Sequence, residues 1–221
     1  MTLTAGSVIW YARRAGDRTG ALDAYVTADF PDGTLVDADE LSGRNFDDLP
    51  ALWHAQYEVA TGRLQQVNVV TPANRLWYVE TPEPDAEPPA VTLVAFDTNH
   101  FPAGRLIDHR MFVPLPIRSD EQVGAIRWWP GTGQIHQVYV QPGRRRQGIA
   151  TTMVYAASAH LIASGSPNRI WASGDRTDLG EALAAGLPHP QRVRTRRRSL
   201  PPMTPAEEMD GIPERNLFPS R

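Results

Sequence analysis

The sequence contains neither cysteine nor lysine, and each absence excludes a class of chemistry. Without cysteine the chain forms no disulfide, binds no metal through thiolate and makes no cysteinyl acyl-enzyme. Without lysine it has no side-chain amine for Schiff-base catalysis, and all 22 basic side chains other than histidine are arginines.

Strong net charge and long apolar runs are also absent. The net charge is −3, so the chain does not bind polyanions through bulk charge. No apolar run approaches the ~20 residues of a membrane-spanning helix. Residues 8–12 are apolar, but Arg13 and Arg14 follow them, whereas basic residues precede the apolar part of a signal peptide. We therefore expect a cytoplasmic protein that does not enter a membrane.

Residues 137–152 contain the most informative pattern in the chain. The β-branched and aromatic residues 138–140 predict a strand, which Pro142 and Gly143 end. Apolar residues then recur at the spacing of one helix face, at Ile149, Met153, Ala157 and Leu161. A strand is thus predicted to pass through a basic loop into a helix N-terminus, where free N–H groups and the helix dipole suit a phosphate. Gly148 would let a ligand approach the backbone closely.

This stretch resembles the acyl-CoA pyrophosphate loop of the GNAT N-acyltransferase superfamily. Residues 145–150 match the pattern Arg/Gln-x-x-Gly-x-Gly/Ala, and residues 140–142 match the Val-x-Pro-like turn before it. The resemblance implies that the main chain near Val138 and Val140 binds the pantetheine arm. The implied cofactor-binding residues are Val138, Val140, Arg145, Arg146, Gln147, Gly148, Ile149, Ala150 and Thr151. The alternative is an ordinary strand–loop–helix junction with solvated arginines.

The same resemblance implies an α/β fold of the α+β type, a mixed and mostly antiparallel sheet flanked by helices. It covers residues 91–198 and is specific around 122–187. We expect a GNAT-like core at 91–200 and a proline-rich tail at 201–221. Residues 1–90 are expected to form part of the same domain or an extension of it, supplying the family's first strand and helices.

Sequence patterns assign most of the chain to strands. Strands are predicted at residues 7–12, 24–27, 66–71, 76–81, 91–96, 122–129, 134–140, 169–173 and 191–199. Asn45 or Asp47 is expected to cap a helix that ends near Thr61, and Asp178 with Glu181 to form a capping box for a helix ending at Gly186. The proline-rich residues 81–89 and residues 97–119 are expected to be loops.

Catalysis by this family needs a base for the amine and a donor for the leaving thiolate. His136 falls near the position where many members have a glutamate, and alternation along the strand puts it on the face of Val138 and Val140. We predict that His136 is the base; the alternative is a partly solvated structural histidine. The family's usual tyrosine donor is replaced by Ala182, and water, Ser173 or another tyrosine would have to substitute.

The predicted function is acyl-CoA-dependent N-acyltransfer, with acetyl-CoA or another acyl-CoA as the donor and a small-molecule or protein amine as the acceptor. One alternative is an acyl-CoA-binding protein without transfer activity. Another is a GNAT-like protein that modifies or binds nucleic acid through the arginines of residues 192–198, which are Arg192, Arg194, Arg196, Arg197 and Arg198. No metal site is expected, and a homodimer is compatible with the sequence.

Overall fold

A computed structural model of the chain describes residues 8–41, 46, 48–73, 75–187 and 189–201. Its strands are β1 (Val8–Arg14), β2 (Thr19–Thr27), β3 (Leu35–Asp37), β4 (Ala51–Glu58), β5 (Arg63–Val69), β6 (Trp77–Glu83), β7 (Ala90–Phe96), β8 (Leu106–Asp108), β9 (Gln122–Trp129), β10 (Gln134–Val140), β11 (Trp171–Ala172), β12 (Asp175–Arg176) and β13 (Arg198–Ser199). Its α-helices are α1 (His109–Phe112), α2 (Ile149–Ala163) and α3 (Asp178–Gly186). Short 3-10 turns lie at Ala38–Leu41, Ser119–Glu121, Pro142–Arg144 and Pro190–Arg192.

Two large sheets organise these elements. The first has five strands in the order β3-β1-β2-β4-β5, and the second has six in the order β11-β10-β9-β7-β6-β8. Most neighbouring strands pair antiparallel; β1 with β3, β6 with β8 and β10 with β11 pair parallel. The mixed, mostly antiparallel α+β class is therefore confirmed. The expected boundary at residue 90 stays a prediction, although β6 already belongs to the six-stranded sheet.

Helix α2 lies between the two sheets and contacts strands of both. Met153 contacts Gly124 of the six-stranded sheet, while the Ser158 hydroxyl lies 3.3 Å from the Tyr11 hydroxyl of the five-stranded sheet. The four residues of the predicted apolar face, Ile149, Met153, Ala157 and Leu161, are all buried, but burial is not limited to that face. Because protein covers the helix on both sides, nearly every side chain from Ile149 to Ala163 is buried.

The helix expected to end near Thr61 is strand β4 instead. Trp53, Ala55 and Tyr57 are buried and alternate with the exposed His54 and Gln56, which is the period of a strand. The same apolar residues also fit a helical spacing over this short length, and pairing with β2 and β5 on either side decides the outcome. The proposed caps, Asn45 and Asp47, lie outside the described residues.

The remaining predictions are confirmed where the sequence pattern lies within one short stretch, and less often elsewhere. The hairpin of β9 and β10 and helix α2 are confirmed. Helix α3 is confirmed too, but its N-cap is Thr177, whose hydroxyl accepts the Gly180 N–H, and not Asp178. Residues 81–89 are not wholly a loop, because β6 runs through Glu83, and residues 97–119 contain β8 and α1. Residues 191–199 form a strand only at Arg198–Ser199, and the tail after residue 201 lies outside the described residues.

A partly buried charge network joins both sheets to α2. His160 of α2 donates from Nε2 to Glu80 of β6 at 2.8 Å, and Arg63 of β5 lies 3.9 Å from the same carboxylate. Burial alone would raise the pKa of Glu80, but the hydrogen bond and charge of His160, with the charge of Arg63, bring it below its usual range. Glu80 is therefore ionised at neutral pH and holds three layers of the fold together.

The segment after α3 is attached to the five-stranded sheet by Arg192. Its guanidinium donates to Asp32 at 2.9 and 3.1 Å and to the Tyr11 hydroxyl at 2.8 Å. Beside it, His189 is buried with its Nε2 3.3 Å from the Tyr155 hydroxyl. Burial and the charge of Arg192 lower the pKa of His189 to about 4, so this imidazole is neutral at pH 7.

Among the described residues, no helix is long and apolar enough to span a bilayer.

We predict that Ala157→Leu lowers the free energy of unfolding by ~1–3 kcal/mol, because Ala157 has no exposed surface and the added carbons must force the sheets apart. Ala185→Leu is the matched control, since Ala185 is an exposed position of α3 and should change stability by less than ~0.5 kcal/mol. Urea denaturation measures both. Equal effects at the two positions would contradict the position of α2 between the sheets.

Candidate functional site

The pairing of β10 with β11 ends early and opens a fork in the six-stranded sheet. Gln134 pairs with Trp171 and Ile135 with Ala172, and no further pair joins the two strands. Strand β10 continues to Val140 while pairing with β9 on its other side. Beyond Ile135, the edge of β10 that faces the fork is therefore not covered by another strand of the described chain.

A β-bulge at the fork determines which residues face it. The register between β9 and β10 shifts between Ile135 and Gln137. Further along, Gln141 donates its N–H to the Val123 carbonyl of β9 at 3.1 Å. Backbone groups of alternate residues point to the same side of a strand, so those of Val138 and Val140 point away from β9, towards the fork. Their side chains pack on the core beside α2.

The arginine loop connects this free edge to α2. Arg144 forms an ion pair with Asp97, which follows β7, and the Arg145 Nε donates to the Val140 carbonyl at 3.3 Å. Arg146 is exposed and has φ of 65°, a conformation that few non-glycine residues adopt. Two of the three arginines thus hold the loop in place, and Arg146 extends from it into solvent.

The N-terminus of α2 is open. Gly148 is the N-cap and has no side chain to accept a helix N–H, and its φ of 84° is strained for any L side chain. The first intrahelical bond runs from the Thr152 N–H to the Gly148 carbonyl at 2.9 Å. The N–H groups of Ile149, Ala150 and Thr151 therefore precede the helical ladder, as at any helix start, and are available to an anion. The φ of Gly148 is by itself a reason for glycine at this position. The sequence pattern alone does not distinguish this reason from the close approach of a ligand.

A cleft of about 350 Å³ joins the fork to this helix N-terminus. Strand β10 and the arginine loop form one wall, and α3 with the segment before it forms the other. It is lined by eight of the nine predicted cofactor-binding residues, Val138, Val140, Arg145, Arg146, Gly148, Ile149, Ala150 and Thr151. Gln147 does not line it and is exposed, with its amide 3.4 Å from the Gly143 carbonyl.

His136 also lines the cleft, but its ring lies on the other face of the sheet. The bulge gives β10 one extra residue, so Ile135, Val138 and Val140 share the α2 face, while the ring of His136 packs on Trp129 at 5.0 Å between centroids. The expectation that His136 shares a face with Val138 and Val140 is therefore wrong. Burial, then repulsion from Arg127, lowers the pKa of His136, and Glu83 only partly opposes this. The imidazole is neutral at pH 7 and able to accept a proton.

The wall opposite β10 contains a buried arginine that the sequence analysis did not identify. Arg176 donates from Nε and its NH2 group to Glu181 of α3, and from NH1 to the carbonyls of Ser173 and Arg194. The guanidinium thus holds the start of α3 and the following segment at the cleft. In the sequence, Arg176 is marked only by Glu181 five residues later, and this spacing of opposite charges is too common to identify a buried ion pair. Ala182 lines the same wall, and Ser173 lies just beyond the fork with its hydroxyl 3.1 Å from the Asp175 carbonyl.

The arginines of residues 192–198 each have a charged or aromatic neighbour, although Arg197 and Arg198 are exposed. Arg192 pairs with Asp32 and Arg196 with Asp178, while Arg197 and Arg198 lie within 4 Å of Asp175. The remaining one, Arg194, lies over the Trp171 ring at 4.1 Å from the centroid. Within the described residues, no group of three or more histidine, aspartate or glutamate side chains is arranged to hold a metal ion.

Comparison with protein families gives an independent result for the same region. Residues 69–182 match the model of the acetyltransferase (GNAT) family, a stretch that covers just over half of the chain. It runs from the end of β5 into α3 and so includes the fork, the arginine loop and the whole of α2. Comparisons with curated proteins and with solved structures gave no match. On the strength of the family match, and in agreement with the geometry of the fork, the chain belongs to the GNAT acetyltransferase family.

Proposed function

We propose that the protein is an acyl-CoA-dependent N-acyltransferase that transfers the acyl group of a CoA thioester directly to an amine. The observation that carries the proposal is that one cleft is lined both by a strand edge without a neighbouring strand and by a helix N-terminus. The edge at Val138 and Val140, where the Val140 carbonyl already accepts from Arg145, lines the same cleft as the first N–H groups of α2 at Ile149, Ala150 and Thr151. A ligand with amides along its arm and a diphosphate at its end matches that surface.

In this proposal the diphosphate binds at the start of α2. Ile149, Ala150 and Thr151 donate backbone N–H groups, the helix dipole adds partial positive charge, and Arg146 supplies a full charge nearby. Arg144 is less available to bind a phosphate than its place in the arginine run suggests, because it already pairs with Asp97. Val138 and Val140 would hold the amides of the pantetheine arm, so that its sulfur end reaches the fork beside His136.

The chemistry that a bound thioester supplies is an activated acyl carbon. Transfer forms a carbon–nitrogen bond, breaks the carbon–sulfur bond, removes a proton from the amine and delivers one to the thiolate. His136 is the proposed proton acceptor, because it is exposed, neutral at pH 7 and situated where β10 leaves β11. Ala182 cannot donate a proton, so we propose that water or the Ser173 hydroxyl protonates the thiolate.

Each of the two alternative functions predicts a result that acyl transfer does not. A CoA-binding protein without activity would bind CoA in the same cleft but release no free thiol with any amine. Nucleic-acid binding through residues 192–198 gains no support from the geometry, since four of the five arginines have an acidic neighbour and the fifth lies on Trp171. Steeply salt-dependent binding to DNA or RNA would restore that alternative.

Gly148→Glu is expected to weaken CoA binding about tenfold or more, because a carboxylate at the N-cap occupies and repels the diphosphate position. Gly131→Glu is the matched control. Gly131 lies in the turn between β9 and β10, where an added Cβ meets nothing within 4 Å. Calorimetry with CoA, alongside thermal unfolding of both variants, measures the effect. Wild-type affinity in a folded Gly148→Glu variant would show that the cleft has been assigned to the wrong ligand.

The pH dependence of kcat/KM should identify the base. Because the pKa of His136 is lowered, the acidic limb of the profile is expected below about 6.5. The group must be neutral to accept a proton, so activity should be lost as the pH falls through its pKa. His136→Ala should remove this limb and lower kcat about 100-fold.

Arg127→Gln provides the complementary test. Removing the charge of Arg127 removes a repulsion that lowers the pKa of His136, so the acidic limb should move to higher pH with the base still present. A limb that stays in place in both variants means that another group is the base.

A further inference from the structure

The closed end of the cleft adjoins a second cavity. Three residues, Ile135, Ala172 and Leu187, line both the cleft and this cavity of about 20 Å³. Ile135 and Ala172 are the last paired residues before the fork opens, and Leu187 follows α3. We call the second space the rear cavity. It lies directly behind the point where the two strands separate.

The reacting end of a bound thioester falls at this point if the proposed function holds. The diphosphate position is fixed at the start of α2, and the free edge of β10 runs from Val140 back to the bulge. That edge is about 13 Å long at ~3.3 Å per residue. An arm lying on it ends beside Ile135 and Ala172. The acyl group then points past the arm, towards the rear cavity.

The side chains around the rear cavity are mainly apolar. Ile9 of β1, Val154 of α2 and Ile170 contribute aliphatic side chains from three separate parts of the chain. On the far wall, the Tyr155 hydroxyl lies 3.3 Å from Nε2 of His189, whose Nδ1 is buried without a partner, and Ser158 and Arg192 complete the lining. A volume of about 20 Å³ holds little more than one water-sized group. It therefore admits one or two further carbon atoms, and not a long chain.

The opposite wall combines small and aliphatic residues. Ala182 and Gly186 of α3 line the cleft together with Leu183, and Leu187 lines both the cleft and the rear cavity. An acetyl group would leave the rear cavity unfilled, whereas each methylene buried there gains about fourfold in affinity.

We propose that the preferred donor is a short-chain acyl-CoA, propionyl-CoA or butyryl-CoA, whose terminal carbons enter the rear cavity between Ile135, Ala172 and Leu187. The acyl carbon is transferred from sulfur to nitrogen as in the proposed function, on which this inference rests. The cavity determines the length of the chain and takes no part in bond breaking.

Calorimetry with CoA and with its acetyl, propionyl, butyryl, hexanoyl and octanoyl thioesters tests the proposal without relying on activity. The dissociation constant is expected to fall about fourfold from acetyl to propionyl, to stay low for butyryl, and to rise again for octanoyl. Equal affinities for all thioesters would overturn the inference while leaving the proposed function intact. A steady fall through octanoyl would overturn it as well, by showing an open groove. Failure of CoA itself to bind would reject the proposed function.

Substitutions at the fork make the test specific. Ala172→Val narrows the rear cavity and should abolish the gain from acetyl to propionyl, whereas Leu187→Ala enlarges it and should move the optimum to a longer chain. Leu179→Ala is the matched control, because Leu179 lines the cleft but not the rear cavity. It should change the affinity for every thioester by the same factor. If Leu179→Ala shifts the preferred length and the other two variants do not, the acyl group lies elsewhere in the cleft.

Discussion

The early end of pairing between β10 and β11 is the constraint on which the site depends. After two paired residues the strands separate, and the only described strand that pairs with the rest of β10 is β9. An unpaired strand edge inside a protein is unfavourable unless water or a ligand satisfies its N–H and C=O groups. The fork therefore creates a cleft along an edge of β10 that pairs with no other described strand, next to a helix N-terminus whose first N–H groups precede the helical ladder.

The buried helix α2 makes this arrangement rigid. A helix whose N-terminus binds an anion must not move when the ligand arrives, and α2 is held from both sides by sheet. His160 and Arg63 meet at Glu80, so a charged network joins the helix to β5 and β6 as well. Removing one member of such a network leaves the other charges partly buried without a partner. Separation of α2 from the two sheets is therefore unfavourable. The five-stranded sheet thus contributes to the site although it lines none of the cleft.

Local signals in the sequence were sufficient for the hairpin and for helix α2, and insufficient for strand β4 and for the bulge at the fork. The hairpin of β9 and β10, helix α2 and the glycine at its start follow from turn residues and periodicity within one stretch. Strand β4 was missed because Trp53 and Tyr57 fit both periods, and only its neighbours β2 and β5 decide between them. The bulge after Ile135 was missed because nothing in residues 134–140 marks an extra residue, and that one residue moves His136 to the other face.

That displacement bears on how two substrates meet under the proposed function. The cleft lies between β10 and α3, on the side where Val138 and Val140 pack beside α2. The ring of His136 lies on Trp129, on the opposite face, near Arg127 and Glu83. Had the strand alternated regularly, the base would share the thioester's face and compete with it for space. With the bulge, the proposed thioester would occupy one face of the fork and an amine would approach from the other face, where the imidazole of His136 is neutral.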